Sequence, residues 1–100
     1  PVGRGIGPSL EARDVLAVLR RERDGPHDLR ERALALAGMV LELSPAVSPG
    51  EGLGEATRLL DHGEALAKFE AICRAQGGRR EPPLAALTQV VTATRRGVCS

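Results

Sequence analysis

The sequence predicts a mainly α fold: about four amphipathic helices followed by a short C-terminal β segment. Apolar residues recur at helical spacing in four stretches between Leu10 and Cys73, and clusters of Gly, Pro and Ser separate those stretches. The clearest β signal is Thr88-Gln89-Val90-Val91-Thr92-Ala93, rich in β-branched side chains. Apolar residues make up 42% of the 100, enough for a core and too many for a disordered tail. Phe69 is the lone aromatic, so that core must be aliphatic.

The chain opens on PVGRGIGP, glycines at alternate positions between prolines, a loop that needs unusual backbone angles. Ser9 is the expected N-cap of the first helix, with Glu11 suited to the positive end of its dipole. Leu10, Ala12, Val15, Leu16 and Leu19 then form a stripe running to about Arg23, and Asp24-Gly25-Pro26 turns the chain. Asp28-Leu29-Arg30-Glu31 has the form of a capping box, which starts the second helix near Asp28. Leu29, Ala33, Leu36, Ala37, Val40 and Leu41 share its face, and Leu34 and Leu43 widen it. Such width implies burial on more than one side, which makes this the expected core helix, one that Leu36→Asp should unfold.

Ser44 to Gly54 is expected to be an exposed loop. The third helix should run from Glu51 or Gly54 to Asp61, with Gly63 as its stop. The fourth, Glu64 to Gln76, carries Ala65, Leu66, Phe69, Ile72 and Cys73 on one face and closes at Gly77-Gly78. Arg79 to Pro83 reads as a charged, proline-rich connector. After the strand at 88–93, Thr94 to Gly97 could turn into a second short strand at 98–100.

Charge and cysteine narrow the function. The 14 basic and 13 acidic residues nearly cancel, and Arg20, Arg21 and Arg23 alternate with Glu22 and Asp24. A phosphate-tracking surface needs an uncompensated basic stripe, so nucleic acid is not an expected partner. No apolar run approaches the ~20 residues of a membrane helix, and no secretory signal is visible. Cys73 and Cys99 lack metal-ligand spacing, and Cys73 falls at an apolar helical position that suits a buried reduced thiol.

No catalytic set emerges. Ser9, Ser44, Ser48 and Ser100 lie in loops or at ends, outside any nucleophile-elbow pattern. His27 and His62 each neighbour an aspartate, but adjacent residues on a helix do not face each other, so both read as helix-terminus residues. GRGIG lacks the lysine and spacing of a phosphate loop. A glycine-rich loop can instead turn carbonyls inward to join a carboxylate, Glu11 or Asp14, around a hard cation. The simpler alternative is a tight helix-entry loop.

PVGRGIGPSLEARDVLAVL, GPHDLRERALALAGMVLEL and ALAKFEAICRAQGG together resemble the thymidine phosphorylase and pyrimidine-nucleoside phosphorylase family. The unbroken GRGIGPSLEARDVL is most similar to the branch holding bacterial thymidine phosphorylase-like proteins and archaeal AMP phosphorylases. VVTATRRGV is similar to the entry into that family's C-terminal β-rich domain. The resemblance implies an excerpt of a larger α/β enzyme. Residues 1–78 would be a helical part of its α/β domain, 79–87 a linker, and 88–100 the start of the β-rich domain.

The implied activity is phosphorolysis of a nucleoside by orthophosphate, in a cytoplasmic homodimer. The family's phosphate- and base-binding residues come from segments with no counterpart here, so no catalytic residue carries over and the excerpt itself is expected to be structural and inactive. The resemblance also implies a potassium ion in the intact enzyme, with Val2, Gly5 and Asp14 at the positions where the family has Leu, Ala and Glu; the excerpt alone requires no cofactor. Against all this stands a self-contained helical interaction module without catalytic activity.

Overall fold

The computed structural model describes residues 2–98. Among them four helices follow in order: α1 Pro8–Leu19, α2 His27–Leu41, α3 Gly52–Asp61 and α4 Glu64–Ala75. These are the four helices that the apolar spacing predicts. Their ends differ from expectation where local hydrogen bonding overrides it.

Helix α1 begins one residue before Ser9. Gly7 is its N-cap at φ 98, and Pro8 takes a first-turn position where a missing N–H costs nothing. The Glu11 carboxylate reaches back to accept from the Gly7 N–H at 3.0 Å, half of a capping box. The helix ends at Leu19, not near Arg23, because Arg21 adopts φ 59, which breaks the α-helical run. The Glu22 N–H then returns to the Ala17 carbonyl at 2.9 Å.

Helix α2 also starts one residue early, with Pro26 as N-cap and no side-chain cap. Asp28 is therefore not a capping residue: one of its oxygens accepts from the Leu29 N–H and the other from the Gly3 N–H, at 2.8 and 2.9 Å. Gly63, at φ 81, separates α3 from α4 as expected. Beyond α4 the Gly78 N–H donates to the Cys73 carbonyl at 2.8 Å, the glycine-assisted stop that Gly77-Gly78 foretells.

The core is small and aliphatic. Val18, Leu34, Ala56 and Leu60 form it, with Leu19, Leu29, Leu41 and Ala65 packed against it. Helices α2 and α3 cross at two buried glycines, Gly38 and Gly52. Glu42, just past α2, accepts from the Gly52 N–H at 2.9 Å and so satisfies a first-turn donor of α3.

Two expectations need correction. Helix α2 buries Leu34 and Gly38 only, leaving Leu36, Met39 and Val40 at 54, 68 and 65% exposed. Helices α1 and α3 cover one side of it, and nothing among the described residues covers the other. Leu34, not Leu36, is the residue whose loss would open the core. The β segment is also absent: none of the described residues is in a strand, and 84–98 are exposed. An extended segment becomes a strand only by sharing backbone hydrogen bonds with a neighbour, and no neighbour approaches this one. The second expected strand, with Cys99, lies largely outside the described residues.

The chain spans 52 × 37 × 21 Å with a radius of gyration of 16.5 Å. A closed domain of this length would have about 13 Å, and residues 84–98, exposed and outside any helix, add to the difference. Among the described residues no helix is long and apolar enough to cross a membrane.

Candidate functional site

The glycine-rich loop folds back onto α1 and α2 through its own N–H groups. Asp14 accepts from the backbone N–H groups of Arg4 and Gly5 at 2.6 and 2.7 Å, both on Oδ2. Gly3 donates to Asp28, and Gly7 donates to Glu11. Four loop amides thus end on three carboxylates. The Arg4 guanidinium adds a bond to the Asp24 carbonyl at 2.7 Å, fastening the loop to the α1–α2 turn.

This arrangement explains the glycines. At Gly3, where φ is 83, a Cβ would stand 2.8 Å from the Asp14 carboxylate; at Gly5 it would meet the Leu10 backbone at 2.5 Å. The loop can lie this close to α1 only without side chains at both positions. The same bonds decide against a phosphate cradle, because an anion site needs unclaimed N–H groups and these already serve carboxylates. The Gly5 and Arg4 amides also hold the Asp14 carboxyl below the usual aspartate range by favouring its charged form.

Val2, Gly5 and Asp14 all line one hollow, together with Ile6, Glu11 and Leu29. Gly5 offers Asp14 its N–H, and Asp14 Oδ1 accepts no hydrogen bond among the described residues. The expectation that loop carbonyls turn toward the carboxylate is not what the described bonds show: N–H groups face Asp14, and its Oδ1 is the hard oxygen donor left for an alkali cation. No group of three or more His, Cys, Asp or Glu side chains that could hold a metal ion occurs among the described residues.

The remaining candidates stay apart. His27 is the first residue of α2 and His62 the C-cap of α3, both helix-terminus positions as expected. Cys73 is a half-buried free thiol. Asp61 binds the chain together instead of serving a histidine: its carboxylate pairs with Arg30 at 2.7 Å, and its carbonyl accepts from Arg21 at 2.9 Å.

Sequence reasoning missed a second constellation altogether. Ser9 and Arg13 donate to the Pro83 and Pro82 carbonyls at 2.5 and 3.1 Å, and Arg20 pairs with Glu81 at 2.9 Å. The connector is docked on α1. The only signal for this was the common helical face of Ser9, Arg13 and Arg20, and nothing in the sequence named its occupant.

Comparison with known proteins finds relatives much longer than this chain. The chain is 60% identical over 97 residues to "Putative thymidine phosphorylase 1" of Acidovorax sp. strain JS42, covering 97% of this chain and 19% of that protein. It is 60% identical over all 100 residues to "Putative thymidine phosphorylase" of Legionella pneumophila strain Paris, and 58% identical to the protein of that name from Hahella chejuensis. The chain is therefore homologous along its whole length to one segment of these phosphorylase-named proteins, which bears out the resemblance read from its motifs. It spans about a fifth of the length of those relatives. No family model and no solved structure matches it.

Proposed function

We propose that these residues are a helical segment of a thymidine phosphorylase-like enzyme, a pentosyltransferase in which they act as scaffold. The observation that carries this is the unbroken homology to a fifth of the phosphorylase-named relatives. In the proposed reaction an orthophosphate oxygen bonds to the anomeric carbon of a nucleoside as the glycosidic bond breaks. The bonding electrons leave with the base, which takes up a proton, and the sugar is released as its 1-phosphate. The phosphate- and base-binding groups belong to other segments of such an enzyme, so residues 1–100 alone would be inactive.

The exposed α2 face gives the scaffold its task. Leu36, Ala37 and Val40 line an apolar hollow of about 480 Å3 with Val18, Leu34 and Leu60. Its occupant would be the remaining four-fifths of the polypeptide, whose α/β sheet needs apolar cover. Burying one such leucine contributes ~1.5–3 kcal/mol, which these helices cannot gain from each other.

The loop is the proposed contribution to the active region. Val2, Gly5 and Asp14 would hold a potassium ion in the intact enzyme, whose charge would favour phosphate nearby. The chain itself supplies the ionised Asp14, whose Oδ1 accepts no hydrogen bond among the described residues. A cytoplasmic homodimer, with nucleoside and orthophosphate as its ligands, completes the proposal. Residues 79–87 serve as linker and 88–100 as the start of the β-rich domain, where strand partners would be provided.

The test is phosphorolysis by the full polypeptide that carries these residues, with thymidine, uridine and AMP each supplied with orthophosphate. Release of free base from any of them supports the proposal, and release from none rejects it. Residues 1–100 alone should release none. The exposed α2 face would equally suit a self-contained interaction module, which inactivity of the full polypeptide would favour.

A further inference from the structure

The connector after α4, which composition marks only as charged and proline-rich, lies along α1 in antiparallel order. Ser9 Oγ donates to the Pro83 carbonyl, Arg13 Nη1 to the Pro82 carbonyl, and Arg20 pairs with the Glu81 carboxylate. At 100° per residue, Ser9, Arg13 and Arg20 fall within about 40° of one another around the helix. Arg79 grips Glu81 from the other side at 2.6 Å.

Leu16 lies beside this contact. It falls on the same face of α1 and is only 3% exposed, yet it stands outside the cluster of Val18, Leu34, Ala56 and Leu60. Leu16, Arg13, Arg20 and Glu81 line one hollow. Pro82 is the only described residue after Cys73 that is not exposed. Glu81 is the connector residue at that hollow, and Arg4, Asp24 and Pro26 help complete its wall.

We propose that Glu81-Pro82-Pro83 is a latch that locks the segment after α4 onto α1 and fixes the direction in which residues 84–98 leave the helices. It closes with one ion pair and two bonds to proline carbonyls. Arg13, Arg20 and Glu81 share their hollow with Asp14 and Arg4, so the latch adjoins the foot of the glycine loop. The polar clasp is exposed, so salt should loosen it.

Trypsin cleavage after Arg79 and Arg80 reads the latch in the full polypeptide, with circular dichroism confirming unchanged helix content. Glu81→Lys faces Arg20 with a like charge, whereas Arg20→Glu combined with Glu81→Lys restores an opposite pair across an identical cleavage site. Lysine before Pro82 adds no efficient trypsin site. The single variant should be cut about two- to fivefold faster than the double variant, the scale of one exposed ion pair. Ser9→Ala, which leaves the charges and the cleavage site untouched, should also be cut faster than wild type. Equal rates for the single and double variants, or no change in Ser9→Ala, would overturn the latch.

Discussion

Gly38 and Gly52 meet where α2 crosses α3, and neither can carry a methyl group. A Cβ on Gly38 would stand 2.7 Å from the Leu53 nitrogen, and one on Gly52 would press on the Gly38 carbonyl and lie 2.7 Å from Glu42 Cγ. The obstacle is largely backbone, which cannot rotate away. Gly38→Ala raises helix propensity by about 1 kcal/mol at a mid-helix position, so an exposed glycine there would be stabilised by the change. Here overpacking should win, with a net loss of about 1–3 kcal/mol. Urea denaturation of Gly38→Ala checks the sign, and a stabilised variant would show that the helices can part at no cost.

Leucines two positions apart on α2 should behave oppositely. Leu34 is buried in the cluster, whereas Leu36 is more than half exposed. Leu34→Ala should cost about 2–4 kcal/mol in either the 100-residue chain or the full polypeptide. Leu36→Asp should cost under about 1 kcal/mol in the short chain and several times that in the full polypeptide, where the proposed sheet covers it. Thermal melts of both variants in both lengths provide the comparison. An equal effect of Leu36→Asp in the two lengths would remove the docking role from that face.

That contrast marks how far the sequence could be read. Helical spacing located all four helices because it depends on local periodicity, and the Gly63 and Gly77-Gly78 stops depend on local backbone angles. The inward side of α2 was not legible, because a broad apolar face does not say which half meets a neighbour. Arg21 at φ 59 was equally invisible, since arginine carries no signal for that region. At the site, the sequence offered either a tight helix-entry loop or loop carbonyls turned inward to join Glu11 or Asp14 around a cation. It did not show that N–H groups would do the binding, because loop composition does not fix which way peptides turn. Thr88–Ala93 has strand composition, but a strand depends on a partner that composition does not supply.

Asp14 should make the loop pH-sensitive in acid. Its folded-state pKa is lowered, first by the Gly5 amide and then by that of Arg4. The stabilisation is therefore complete above the unfolded value of about 3.9 and disappears as pH falls through the lower folded value. The Gly5 amide resonance should shift across that window as its carboxylate partner is protonated. Asp14→Asn keeps an acceptor oxygen and should abolish the titration, whereas Asp14→Ala should release the loop at a cost of about 1–2 kcal/mol. A Gly5 resonance that is flat with pH in the wild type would mean that the loop does not rest on Asp14.

The potassium proposal carries a sharper demand on the same residue. Asp14 Oδ2 is already committed to two amides, which leaves Oδ1 for a cation. Asp14→Glu would restore the longer side chain that the phosphorylase resemblance implies, and its extra methylene would carry the carboxylate closer to any ion held by the Val2 and Gly5 carbonyls. In the full polypeptide, replacing potassium by tetramethylammonium at constant ionic strength should lower phosphorolysis several-fold, because an ion of that size cannot approach the oxygens. Asp14→Ala should be slow in both salts and insensitive to the exchange, while Asp14→Glu should saturate at lower potassium than the wild type. Binding of thallium(I), a potassium mimic, followed by its own NMR signal, separates cation affinity from turnover. Wild-type activity indifferent to potassium, with no thallium signal that Asp14→Ala removes, would leave the glycine loop as a helix entry and nothing more.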